Sequence, residues 1–164
     1  MTIDFFTKGE ILSSIQNIEK IIGCGIFAPE NMGHPLLRAA FIALLIDLRD
    51  LMYKTEKYAG RIMFSDDVRT NENVRDVSDL IKYVRDALCH LDSNAHYLEP
   101  GNIRATFNVA FGKATLIKIG DFEQSSEYSD DICFFFGSQR IYLKRHVVRA
   151  FDEAKTKLSA RLNE

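Results

Sequence analysis

Residues 113–144, KATLIKIGDFEQSSEYSDDICFFFGSQRIYLK, decide how the chain is to be built. Residues 113–120 and 131–137 are short β-branched and aromatic runs bounded by glycine. The turn-rich residues 121–130 lie between them, and the pattern reads as a β-hairpin or small ribbon. Residues 139–144, QRIYLK, add a third short strand. A ribbon of two or three strands is marginal alone, so Phe134, Phe135 and Phe136 are expected to lie against the rest of the chain or a second subunit.

Outward from this stretch the period of the apolar residues changes from two to between three and four. Ile11, Ile15, Ile18 and Ile22 make one stripe of a helix over 9–22. The following GCGIFAPENMGHP is a helix stop and linker: its Gly-x-Gly comes after a helix, not a strand, and lacks the third glycine of a dinucleotide site. Leu37, Phe41, Leu44, Leu45, Leu48, Leu51 and Met52 predict a long helix over 35–58, with Pro35 in its first turn and Gly60 as its stop. Val74, Val77, Leu80, Ile81, Val84, Leu88 and Leu91 predict a third helix over 72–93. Val147, Val148, Phe151, Ala154 and Leu158 predict a fourth over 144–162. Four helices, each with one face to bury, predict a mainly α fold: a four-helix up-and-down bundle in one domain spanning 1–164. The β ribbon, about 112–143, is expected as an insertion before the last helix.

The 164 residues are 46% hydrophobic and 27% charged, the balance of a globular chain large enough to bury a core without a metal or disulfide staple. A net charge of −2 argues against coating nucleic acid by bulk electrostatics, so any such contact must be local. Arg140, Lys144, Arg145, His146 and Arg149 form the one candidate basic patch, read as a solvated helix face. The N-terminus has no secretory pattern, and the longest apolar run, Ala39 to Ile46, is far short of a membrane span. A cytoplasmic location without membrane partners is expected. Cys24, Cys89 and Cys133 are scattered and odd in number, which fits reduced thiols that serve packing.

The third helix raises a separate question in Arg85-Asp86-Ala87-Leu88-Cys89-His90. On a continuous helix Asp86 and His90 lie roughly 40° apart and can hydrogen-bond, and the long Arg85 side chain can swing toward them. An imidazole exchanges protons near neutral pH, a guanidinium binds phosphate oxygens with a planar fork, and a carboxylate can orient the ring. Those three groups suit transfer at a phosphodiester. In RNA the 2′-hydroxyl is an internal nucleophile, so the reaction needs proton transfer and charge stabilisation. The spacings of Cys89, His90 and His96 do not match a metal site, and no metal or other cofactor is expected. An exposed ion pair beside a histidine at a helix C-terminus explains the same residues without function.

A helical bundle with Arg-polar-x-x-x-His near the end of its third helix resembles the HEPN superfamily (higher eukaryotes and prokaryotes nucleotide-binding). Arg85, Asp86 and His90 match each element of the motif. The resemblance implies a metal-independent endoribonuclease, the toxin of a toxin–antitoxin or phage-defence system, with Arg85 on the scissile phosphate, His90 as general acid or base, and Asp86 orienting His90. It also implies RNA as substrate, a homodimer with the two motifs face to face, and an antitoxin protein as a further partner. Two-fold symmetry would gather positive charge in one groove of an otherwise acidic protein. Some toxin members carry a tyrosine two places after the histidine, where this chain has Asp92. The alternative is a catalytically inactive HEPN-like module that binds RNA, nucleotide or protein.

Overall fold

The computed structural model describes residues 2–90, 94–98 and 103–162. Its helices are α1 (Phe5–Gly23), α2 (Leu37–Ala59), α3 (Val77–Cys89) and α4 (Arg149–Leu162). Asp4 starts α1 by accepting the Thr7 N–H at 3.0 Å, one of the donors that a helix N-terminus otherwise leaves unpaired. Gly60 ends α2 at φ 96°, a conformation that favours glycine. The third helix begins at Val77, later than its apolar period suggests. Asn71 Oδ1 takes the N–H groups of Asn73 and Val74 into a tight turn, and Asp76 caps the helix by accepting from Asp79 N at 2.9 Å.

α2 is the centre of the helical part, with α1, α3 and α4 each packed on it. The remaining side is closed by β-structure. Strands β1 (Asn108–Phe111), β4 (Ile132–Phe136) and β5 (Gln139–Tyr142) form an antiparallel sheet in the order β1-β4-β5. Strands β2 (Ala114–Ile119) and β3 (Phe122–Ser126) pair with one another in a second, two-stranded sheet, with a bulge between Thr115 and Ile117.

The architecture is therefore mixed α/β, four helices with five antiparallel strands, and not a four-helix up-and-down bundle carrying a small ribbon. The stretches 113–120 and 131–137 do not pair with each other; strand 114–119 pairs with 122–126, a stretch whose sequence reads as turn. The physical reason is at Phe134–Phe136. Phe134 and Phe136 join the main core, where Phe134 stacks on Phe41 of α2 with ring centroids 3.8 Å apart. Cys133 and Phe135 face the other way, into a smaller core with Ala110 and Tyr142. A strand covered on both faces has no alternation to show, and it is a wall of the core, not an appendage.

The chain enters α4 through a π-helical turn, Leu143–Val148. Asp131, at the head of β4, holds this turn by accepting from Lys144 N at 2.9 Å, Arg145 N at 3.1 Å and the Arg145 guanidinium at 3.0 Å. Among the described residues no helix is long and apolar enough to cross a membrane.

Candidate functional site

Helix α3 buries Val77, Leu80, Ile81, Val84, Ala87 and Leu88 in the core and leaves Lys82, Arg85, Asp86 and Cys89 on its outer side. Arg85 is half-buried and donates to Asp86 Oδ1 at 2.9 Å. The other carboxylate oxygen of Asp86 meets Lys82 Nζ at 3.2 Å. No hydrogen bond among the described residues joins Asp86 to the His90 ring. His90 is the residue that ends the helix, at φ −119° and ψ 97°. The structure thus pairs Arg85 with Asp86, and no bond among the described residues ties the exposed His90 ring to either. Leu91 and Asp92 lie outside the described residues.

The backbone of His90 is nevertheless held at both ends. Its N–H donates to Asp86 O at 3.0 Å, and its carbonyl lies 3.2 Å from Nε2 of the fully buried His96. A carbonyl only accepts, so this contact needs the His96 proton on Nε2. The segment carrying His96 is braced by the β4–β5 turn. Gly137 has φ 51°, and a Cβ there would run into the carbonyl oxygens of Ala95 and Tyr97. The sheet therefore fixes the segment that receives the end of α3.

Two grooves flank α3. The first, about 540 Å³, lies between α2 and α3 and is lined by Ile46, Arg49, Asp50, Tyr53, Arg85 and Cys89. The second, about 420 Å³, includes Lys82, Asp86, Tyr83 and Ala95 in its lining. Arg85 and Asp86 touch, yet each opens to a different groove. His90 follows Cys89 at the end of the first.

Arg49 and Tyr53 are additions that the motif does not name. The Arg49 guanidinium lies over the Tyr53 ring at 5.9 Å. Among the described residues Arg49 has no carboxylate partner, and its Nε is buried without a hydrogen-bond acceptor. Their signal was present in the spacing: Ile46, Arg49, Asp50 and Tyr53 recur at three and four on the face of α2 opposite its leucine stripe. Asp50, the carboxylate of this groove, is engaged by Lys54 at 2.5 Å.

The basic patch is not a solvated helix face. Arg140 is buried and paired with Glu127 at 2.7 Å, Arg145 pairs with Asp130 and Asp131, and Arg149 pairs with Asp66 at 2.8 Å. His146 is fully buried between the Tyr142 N–H, which donates to Nδ1 at 3.1 Å, and the Asp66 carbonyl, 3.0 Å from Nε2. Burial holds its pKa below the ordinary histidine value, and the two bonds fit the neutral ring. Packing accounts for Cys133 alone among the thiols, its pKa pushed up to about 12 by burial, whereas Cys24 and Cys89 are exposed. Among the described residues no group of three or more His, Cys, Asp or Glu side chains is placed to hold a metal ion.

No protein-family model, curated protein or solved structure matches the chain.

Proposed function

We propose that this chain is a metal-independent endoribonuclease of the HEPN type, acting as the toxin of a toxin–antitoxin or phage-defence system. The observation that carries the reading is Arg85 opening into the α2–α3 groove, with the exposed His90 one residue past the Cys89 that lines the same groove. Arg85 binds the scissile phosphate. The 2′ oxygen attacks phosphorus while His90 takes its proton, the bond from phosphorus to the 5′ oxygen breaks, and a proton reaches that oxygen from a second imidazolium across the two-fold axis of a homodimer. The products are a 2′,3′-cyclic phosphate and a 5′-hydroxyl. In the free protein Asp86 occupies Arg85 and Lys82.

The test is expression of wild type beside Arg85→Ala and His90→Ala in a bacterial host, scored for growth and for RNA ends bearing cyclic phosphate. Wild type is expected to arrest growth and cleave RNA, in the presence of EDTA as in its absence. Both variants are expected to fold and to do neither. Strict dependence on a divalent metal would sink the mechanism.

The placement of Asp86 favours a second reading, a HEPN-like module that binds RNA without cleaving it, because no carboxylate among the described residues orients the His90 ring. Intact RNA after incubation with pure protein, together with measurable binding, would select it.

A further inference from the structure

The α2–α3 groove holds more than the Arg-x-x-x-x-His pair requires. Tyr53 is 56% exposed and Ile46 49% exposed, unusual for an aromatic and a β-branched side chain lining one depression. Between and beside them stand two guanidinium groups. Arg85 is partly neutralised by Asp86, whereas Arg49 makes no ion pair among the described residues, and its Nε is buried without an acceptor there. A guanidinium that makes no ion pair keeps its charge for an incoming phosphate. The remaining carboxylate of the groove, Asp50, is already bound by Lys54 at 2.5 Å and opposes an incoming anion less than a free one would.

An open ring, an apolar neighbour and an unpaired guanidinium are the parts of a stacking platform for unpaired bases with a phosphate contact beside it. The volume, about 540 Å³, falls in the range of small-ligand sites. A duplex keeps its bases paired inside and offers such a groove only its backbone, so it cannot use the ring.

From this, and resting on the ribonuclease reading above, we infer that the α2–α3 groove selects single-stranded RNA, with Tyr53 stacking one base and Arg49 holding the phosphate next to the one that Arg85 binds. Tyr53 and Arg49 are specificity and positioning residues; the proton transfer remains with His90. They act on binding of the strand, so their loss raises KM and leaves kcat in place.

The experiment uses a fluorescein-labelled oligouridylate of roughly ten nucleotides and the same strand annealed to oligoadenylate, with binding read by anisotropy in a His90→Ala background that leaves the probe intact. Cleavage by the chain with His90 is measured separately. The single strand is expected to bind more tightly than the duplex. Tyr53→Ala is expected to weaken single-strand binding about tenfold, within the range that stacking of one base supports, and Tyr53→Phe to restore it. Arg49→Gln is expected to weaken binding and to lower the salt slope by about 0.7 to 1, the counterions of one phosphate contact. Both positions lie outside the buried core, and unchanged thermal unfolding verifies that the variants fold.

If wild type cleaves RNA while Tyr53→Ala and Arg49→Gln bind as the parent does, or if duplex binds as tightly as single strand, this inference is overturned and the ribonuclease reading stands. If wild type neither binds nor cleaves RNA, both fall. Should Tyr53→Ala lower the oligomeric state in sedimentation without changing RNA affinity, the groove is a subunit interface and the inference is wrong.

Discussion

The two ends of α3 use the same kinds of side chain in opposite ways. At the N-terminal end Asp76 and Asp79, with side chains only 11% and 13% exposed, are bound by Arg61, whose Nη2 lies 2.9 Å from Asp76 and 2.6 Å from Asp79. Arg75 closes on Asp79 from outside at 2.7 Å, and Asp76 also caps the helix. At the C-terminal end Lys82, Asp86 and Arg85 form a wetter chain of two ion pairs, and the His90 ring has no side-chain partner among the described residues. Charges that bond inward with several partners serve the fold. Charges at the rim of a groove, with partners that solvent can replace, are the ones a substrate can recruit.

The sharpest way to break this contrast is at the N-terminal end. Asp76→Ala removes the cap and two guanidinium hydrogen bonds at once, and is expected to destabilise the protein by about 2–3 kcal/mol in chemical denaturation. A loss no larger than that of an exposed ion pair would erase the distinction between the two ends. A smaller effect follows from acid. Arg75 and then Arg61 hold the carboxyl of Asp79 at about 2, below its ordinary 3.8, against the opposing pull of burial. The unfolded chain therefore binds more protons between these values. The contribution of Asp79 is complete above about pH 4 and is lost as pH falls toward 2. Unfolding titrations should show that decline in wild type and a shallower one in Asp79→Asn.

The helices were legible because their buried faces are leucine, isoleucine and phenylalanine at helical spacing: Ile11 to Ile18, Phe41 to Leu51, Leu80 to Leu88. The sheet was legible only in part. β3 hides because its inward residues, Gln124 and Ser126, are polar and buried, Gln124 satisfied by Asn108 at 2.9 Å and by the Gly137 carbonyl at 2.8 Å. An apolar alternation never forms there, and without β3 the partner of β2 is assigned to the wrong strand. β1 is four residues with one buried side chain, too short for a period to declare itself. In the candidate site, Arg85, Asp86 and His90 could be named from spacing. Their grouping could not, because it depends on the helix ending at Cys89 and on Asp86 choosing Lys82 and Arg85. Arg49 and Tyr53 come from another helix, and only tertiary packing puts them beside Arg85.

The smallest expected effect separates the two roles open to Asp86. Asp86→Asn keeps the shape of the side chain and removes its charge from two ion pairs that are partly exposed, 35% at the carboxylate, so the unfolding free energy should change by less than about 0.5 kcal/mol. On the proposed ribonuclease reading, if Asp86 serves only as the resting partner of Arg85, the phosphate no longer has to displace it. RNA affinity then rises by a small factor, about two to three, and cleavage at saturating RNA is unchanged. If instead RNA draws Asp86 away from Arg85 and onto His90, the variant loses the orienting carboxylate. Saturating cleavage then falls, and the pH profile shifts with it, because a carboxylate beside an imidazole favours its protonated form. The bonds that Asp86 makes to Arg85 and Lys82 favour the first outcome, and with it the view that the C-terminal end of α3 is electrostatically held in reserve rather than assembled in advance.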